Sequence, residues 1–373
     1  MTPDEALDDI FARAEAHIDA TFITDAVIQE RVEYVCRCMT NRAGVRLLMS
    51  CLLGKLDKPH VDPRKPYTEI AGDDSFSGRA YDERYVGPFI GKHRLPVNAT
   101  TAFLTPTLRN IDRPLTTDRE LVGRPRNLYR KTLELLEDVA EDRVEARTVL
   151  LETVRILIQE RNENLARMES LIGALKHNED ALPLSSEAIV TLISQHLACK
   201  GASRLPVLIV AAAYEAAGTM LAEKTLRLNR HNAADSQTGS LGDVEVCLIN
   251  EDDVVTVYEM KMKKVTTDDI DIAVTKMARA STHIDNYLFV TTDSIDDTVA
   301  EYAASFYEKT DGTEIAILDC LAFLRHFLHL FHRIRGDYLD AYQRLVLEEP
   351  DSAVSQTLKE AFLTLRKSAE SGE

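Results

Sequence analysis

GSLGDVEVCLINEDDVVTVYEMKMKKVT, residues 239–266, is the stretch whose reading decides the fold. It holds two short apolar, β-branched runs, Asp243 to Ile249 and Val254 to Lys261, separated by polar residues. Alternation of this kind broken by turn-forming residues predicts an antiparallel hairpin. Side chains two apart on a strand share a face. Glu259 and Lys261 therefore point one way, and Tyr258 and Met260 the other. Asp243 and Glu245 likewise share a face. A three-residue turn, Asn250-Glu251-Asp252, pairs Ile249 with Asp253 and, counting back, sets Asp243 opposite Glu259. A two-residue turn sets Asp243 opposite Met260 instead and scatters the polar set, so turn length decides the site.

Directly opposite residues on an antiparallel pair project to one face, with Cβ atoms ~4.5–5.5 Å apart. Two carboxylates so placed, Asp243 and Glu259, with the carbonyl of Met260, offer the hard oxygen ligands that suit Mg²⁺. Lys261 beside them is placed to orient a water and to balance charge developing on a phosphate. An acid on one strand with Glu-x-Lys on the next is the active-site pattern of the PD-(D/E)xK nuclease superfamily. Glu259-x-Lys261 is the only Asp/Glu-x-Lys triplet in the chain. The plainer reading of the same residues is a hairpin with one solvated, charged face. Glu215, on the preceding helix, and Glu245 are further metal-ligand candidates, and a helix-surface glutamate is the competing reading of Glu215.

The elements on either side favour the nuclease reading. Residues 205–225 read as an apolar helix opened by Pro206. The polar approach RLNRHNAADSQTGSLGD offers His231, Asn232, Gln237 and Thr238 to DNA, with Gly239 and Gly242 allowing close backbone approach. Taken singly, each fits an ordinary polar loop. After the hairpin come a helix from about Asp268 to Ala280, a strand at Tyr287 to Thr291 and a helix from Asp296 to Tyr307. A strand at Glu314 to Leu318 and a long amphipathic helix from Cys320 past Arg335 complete the series. Thr266 and Asp269 form a capping-box-like start to the first of these helices. The order α-β-β-α-β-α-β-α predicts an α/β fold with a mixed central sheet and helices on both faces.

Upstream, residues 1–56 show helical spacing, with Thr24 or Asp25 to cap the second helix. Residues 57–126 carry eight prolines and five glycines among scattered aromatics, which predicts an ordered, loop-rich recognition surface. Helices return over 127–200, with Ser185 or Ser186 capping the last. The expected division is a helical, loop-rich recognition and scaffold region (1–200), a nuclease core (201–345), and a C-terminal helix with a frayed SAESGE end (346–373).

The net charge of −17 excludes a uniformly basic nucleic-acid binder. The charge is uneven, however. Residues 42–131 hold 17 Lys+Arg against 10 Asp+Glu, leaving −24 for the rest. Binding follows local fields, so Arg79, Arg84, Arg109 and Asn110 in this segment are candidate DNA contacts. The plainer reading is that these arginines brace loops. No apolar run reaches the ~20 residues of a membrane span, and the acidic N-terminus lacks signal-peptide order. The six cysteines lie scattered in apolar segments, which predicts free thiols in a cytoplasmic protein. His326, His329 and His332 invite a zinc reading, but a partly buried helix face explains them as well.

Several long stretches resemble the SacI family of type II restriction endonucleases. They are YTEIAGDDSFSGRAYDERYVGPFI (67–90), LPVNATTAFLTPTLRN (95–110), SRLPVLIVAAAYEAAG (203–218), HNAADSQTGSLGDVEV (231–246), VVTVYEMKMKKVT (254–266) and LDCLAFLRHFLHLFHR (318–333). The resemblance implies a Mg²⁺-dependent homodimer that cuts both strands of duplex DNA at a short palindrome, with a cognate DNA methyltransferase as genetic partner. Asp243, Glu259 and Lys261 match the superfamily's three positions, while Gly242 stands where the pattern has proline. Two other readings compete: a repair or structure-specific nuclease with the same core, and a non-catalytic DNA-binding protein with a decayed one. The intact Asp/Glu/Lys set speaks against the latter.

Overall fold

Helix α1 (Pro3–Ala16) opens with a capping box between Thr2 and Glu5, which satisfies two backbone amides that a helix start leaves unbonded. The computed structural model describes residues 2–371 other than 71, 99, 120, 122, 177–182, 229–239 and 281. The chain divides into two units, Met1–Arg167 and Met168–Glu373, the line falling inside one long helix.

In the first unit α1 is followed by α2 (Ala26–Cys36) and α3 (Ala43–Asp57). Asp25, rather than Thr24, caps α2 by accepting from the amides of Val27 and Ile28. Helix α3 is buried continuously from Ala43 to Gly54, Arg46 included. A buried guanidinium needs a partner. Arg46 Nε donates to Asp82 Oδ1 at 2.8 Å, and Ser50 Oγ donates to the same oxygen at 3.0 Å. The Pro/Gly-rich stretch forms short pieces: α4 (Gly78–Tyr81), a π-helical turn (Asp82–Val86), α5 (Gly87–His93) and a 3₁₀ turn (Ala102–Leu104). Its aromatics Tyr67, Phe76, Tyr81, Phe89 and Phe103 join the core built by α1–α3. Buried aromatics thus order a segment whose backbone punctuation forbids long helices. Helices α6 (Arg126–Ala140) and α7 (Ala146–Lys176) follow.

The second unit contains the mixed sheet. Helix α8 (Ser186–Leu197) is capped by Ser185. Helix α9 (Leu205–Leu221) is apolar almost all round and buried, as a core helix should be. It ends earlier than its sequence suggests. Ala222 takes left-handed φ 57, and β1 (Glu223–Thr225) turns back along the sheet edge. Gly218 permits this return, because a Cβ there would lie 2.5 Å from the Glu223 carbonyl oxygen. Strands β2 (Val244–Leu248), β3 (Val254–Lys261), β4 (Asn286–Thr291) and β5 (Glu314–Asp319) complete the order β1-β2-β3-β4-β5. The first three are antiparallel, and β3, β4 and β5 are parallel.

Helices α10 (Thr267–Met277) and α11 (Asp297–Ala304) make the crossovers. They cover one sheet face, where Val257, Ile270, Tyr287, Phe289, Ala303 and Ile315 cluster. On the other face Val244, Val246, Tyr258 and Val290 pack with α8, α9, α12 (Cys320–Leu330), α13 (Arg335–Glu348) and α14 (Gln356–Ser371). The expected single helix from Cys320 is therefore two. Phe331 leaves helical geometry (φ −106, ψ 41), and a 3₁₀ turn over His332–Ile334 precedes α13. His332 thus lies outside the helix that carries His326 and His329, and His329 Nε2 lies 2.9 Å from Glu187. The expected fraying from residue 368 is also absent as far as Ser371. Arg366 anchors the last turns of α14 to Glu370 at 2.7 Å and Asp340 at 2.8 Å.

Candidate active site

The hairpin turn differs from the one the sequence suggests. Strand β2 stops at Leu248, and residues 249–253 link it to β3. Ile249 therefore donates to the Ala222 carbonyl rather than pairing with Asp253. At the turn Cys247 faces Val254, a pairing that, unbroken, would bring Asp243 level with Tyr258. The register shifts between Val246 and Cys247, Val255 being the extra residue, so that Val246 faces Thr256 and Val244 faces Tyr258. The ladder ends at Val244–Tyr258, and Asp243 lies one residue beyond it. The longer turn and the bulge together give the register that a three-residue turn would have given.

Asp243 sits where the chain leaves the ladder. Its amide donates to the Tyr258 carbonyl at 2.8 Å. Its carboxylate accepts from the Met260 amide at 2.7 Å, a donor β2 no longer reaches. The amide and carbonyl of one strand residue face the same side, so the Met260 carbonyl faces the edge that Asp243 occupies. Gly242 makes this approach possible. A Cβ there would lie 2.5 Å from Val257 Cγ1 and 2.8 Å from the Tyr258 carbonyl oxygen.

Glu259 and Lys261 project to the α10 face. Their side chains retain 17% and 21% exposure, so their charges must be balanced locally. Lys261 Nζ lies 3.2 Å from Glu259 Oε1 and 3.0 Å from Asp269 Oδ1, at the start of α10. Burial pushes the Lys261 pKa down, but Glu259 and Asp269 outweigh it and hold the ammonium above its ordinary range. Burial likewise raises Asp269, yet bonds from Thr266 and Lys261 hold it below the usual carboxylate value. An ammonium has three donors, and the two carboxylates engage two of them.

Of the other candidates, Glu245 Oε1 accepts from the Leu241 amide at 2.6 Å and Ser240 Oγ at 3.1 Å, bracing the approach to Asp243. Glu215 on α9 is ion-paired with Arg344 of α13. Among the described residues no group of three or more His, Cys, Asp or Glu side chains converges to hold a metal. Asp243, Glu259 and the Met260 carbonyl nonetheless form an all-oxygen set of the kind hard divalent cations take.

The candidate DNA contacts of the first unit are exposed but differ in their attachments. Arg79 is tied to Glu83 at 2.7 Å. Arg84 lies 5.3 Å from the Tyr85 ring centroid, and Arg109 donates to the Leu104 carbonyl at 3.1 Å. Asn110 has left-handed φ 57. Much of the basic excess is internal bracing, as in Arg42–Glu160 and Arg46–Asp82. Among the described residues Arg84, Arg94, Arg109, Arg113, Arg124 and Arg126 are exposed and make no ion pair. His231, Asn232, Gln237 and Thr238 lie outside the described residues.

Residues 184–292 match the model of the SacI restriction endonuclease C-terminal domain. This match supports a SacI-family restriction endonuclease. The match runs from α8 through β4 and contains Asp243, Glu259 and Lys261 together with all of α10. Of the stretches that suggested the family, 203–218, 231–246 and 254–266 lie inside it, and 67–90, 95–110 and 318–333 lie outside. No curated protein matches the chain. A restriction endonuclease domain implies DNA as partner. Two residues that contact Glu259 and Lys261 were not singled out from sequence, Asp269 as more than a helix cap and Lys276. Their seven-residue spacing, two turns of one helix, was the available signal.

Proposed function

We propose that the protein is a type II restriction endonuclease that hydrolyses both strands of duplex DNA at a specific sequence, using Mg²⁺. The observation that carries the reading is the Asp243 carboxylate on the amide of Met260, the residue between Glu259 and Lys261, within the matched segment. Asp243, Glu259 and the Met260 carbonyl would hold the ion, which supplies charge neutralisation at the phosphate and a more acidic water. Lys261, steadied by Asp269, turns its remaining donor toward the attacking water and the phosphate oxygen, stabilising charge as it develops. Glu215 and Glu245 are placed outside this minimal set because Arg344 and the Ser240–Leu241 backbone already engage them.

A homodimer fits cleavage of a palindrome, because a two-fold protein matches a two-fold site. A cognate methyltransferase follows from the need to spare host DNA, and both enzymes would then work in the cytoplasm. In the first unit the unpaired arginines, with Arg79 and Asn110, are the proposed DNA-contacting set. Digestion of a sequenced plasmid with Mg²⁺, followed by mapping of the ends, tests the proposal. Discrete fragments with one shared terminal sequence are expected. A smear of random ends points to a non-specific nuclease, and intact plasmid overturns the enzymatic reading.

A further inference from the structure

Glu259 is held by two ammonium groups. Lys261 Nζ approaches Oε1 at 3.2 Å, and Lys276 Nζ, from α10, approaches Oε2 at 3.4 Å. The Tyr287 hydroxyl, which donates to the Leu241 carbonyl at 3.0 Å, also lies 3.4 Å from Oε2. Helix α10 supplies both ends of this arrangement. Asp269 in its first turn holds Lys261 at 3.0 Å, and Lys276, two turns on, holds Glu259. The charges alternate along the row Asp269, Lys261, Glu259, Lys276, and each ammonium lies against a carboxylate. A divalent cation on Glu259 makes Lys276 a like charge beside it, and like charges at this range repel.

Lys276 has somewhere else to go. It lines an open groove of about 900 Å³ beside the site, with Thr275, and with Arg279 three residues on. Among the described residues Arg279 makes no ion pair. Glu245, Asp252, Asp253 and Asp271 also line this groove, so it is not a uniformly basic surface.

We infer that Lys276 is a positioning residue that exchanges Glu259, which it engages in the metal-free protein, for a DNA backbone phosphate once a divalent cation occupies Glu259. The inference rests on the metal-dependent reading of the site. It makes Lys276 a competitor of the metal when DNA is absent. By linkage, it also makes metal and DNA favour one another's binding.

The test compares Lys276→Met with wild type, both checked for folding by circular dichroism. Calorimetric titration with Mn²⁺, without DNA, is expected to give at least fivefold tighter binding in the variant. Anisotropy with duplex DNA and Ca²⁺ across a salt series is expected to show weaker binding, with a log–log slope shallower by about one. Lys276→Arg, which keeps the charge, is expected to restore both. Unchanged or weaker Mn²⁺ binding in Lys276→Met, or an unchanged salt slope, overturns the inference. Glu259→Gln is titrated alongside. If wild type gives no Mn²⁺ heat, or Glu259→Gln binds as wild type does, the metal reading fails and this inference with it. If wild type binds through Glu259 and Lys276→Met matches it, only the inference fails.

Discussion

Replacing Gly242 with alanine adds one methyl group beside Asp243, and the structure fixes where it goes. The new Cβ would lie 2.5 Å from Val257 Cγ1 and 2.8 Å from the Tyr258 carbonyl oxygen. Val257 is fully buried among Ile270, Tyr287 and Phe289, so its methyl cannot swing into solvent. The Tyr258 oxygen is backbone in the central sheet, and it accepts the Asp243 amide at 2.8 Å. The segment carrying Asp243 must therefore move. Overpacking costs about 1–3 kcal/mol, and the strained Asp243 amide bond adds about 1 kcal/mol. A loss of about 2–4 kcal/mol lowers the melting temperature of a unit this size by roughly 4–16 °C. The functional effect is larger, since displacing a catalytic group by about 1 Å costs on the order of 10²-fold in rate. Scanning calorimetry of the full chain gives the first quantity and plasmid cleavage rates give the second. Gly242→Ala with an unaltered melting temperature and full cleavage would refute the reasoning.

Other consequences can be checked separately. Asp243→Ala and Lys261→Ala are expected to lose at least 10³-fold in cleavage while retaining DNA binding, measured by gel shift with Ca²⁺; loss of binding in both folded variants counts against the assigned roles. Arg46→Met strands the fully buried Asp82 carboxylate and is expected to destabilise the first unit by about 3–5 kcal/mol in urea unfolding. His196 is buried, with Nδ1 3.0 Å from the Tyr342 hydroxyl and Nε2 3.0 Å from the Leu358 carbonyl. Burial lowers its pKa from 6.5 to about 4. The unfolded chain therefore binds its proton first as pH falls, and stability present above pH 6.5 is lost progressively toward pH 4, by about 3 kcal/mol in all. Denaturation of wild type and His196→Asn at pH 7.5 and 5.0 should show this extra pH dependence only in wild type.

The hairpin and its crossovers were legible because alternation, caps and turn residues are local signals. Strand β1 was not: Glu223–Thr225 is three residues of no strong strand preference, recruited by β2 once Ala222 has turned the chain. The bulge at Val255 was hidden too, since a run of valines reads alike whichever residue is extra. Its effect on register cancelled that of the longer turn. The break at Phe331 has no proline or glycine before Gly336, and there the Phe331 ring packs on Phe327 against the core. For the site, the spacing of Asp243, Glu259 and Lys261 was readable along two strands. Asp269 and Lys276 reach Glu259 and Lys261 only because α10 folds over β3, a tertiary fact. The basic belt was overread in one respect, because a charge count does not distinguish an arginine buried against Asp82 from one facing solvent.

On the proposed reading, Asp243 with Glu259 and Lys261 of β3 hydrolyses DNA. Wild type and Lys261→Ala, incubated with the same sequenced plasmid and Mg²⁺, test it most directly. Discrete, end-mapped fragments are expected from wild type and intact plasmid from the variant; equal cleavage by both, or none by either, rules that chemistry out.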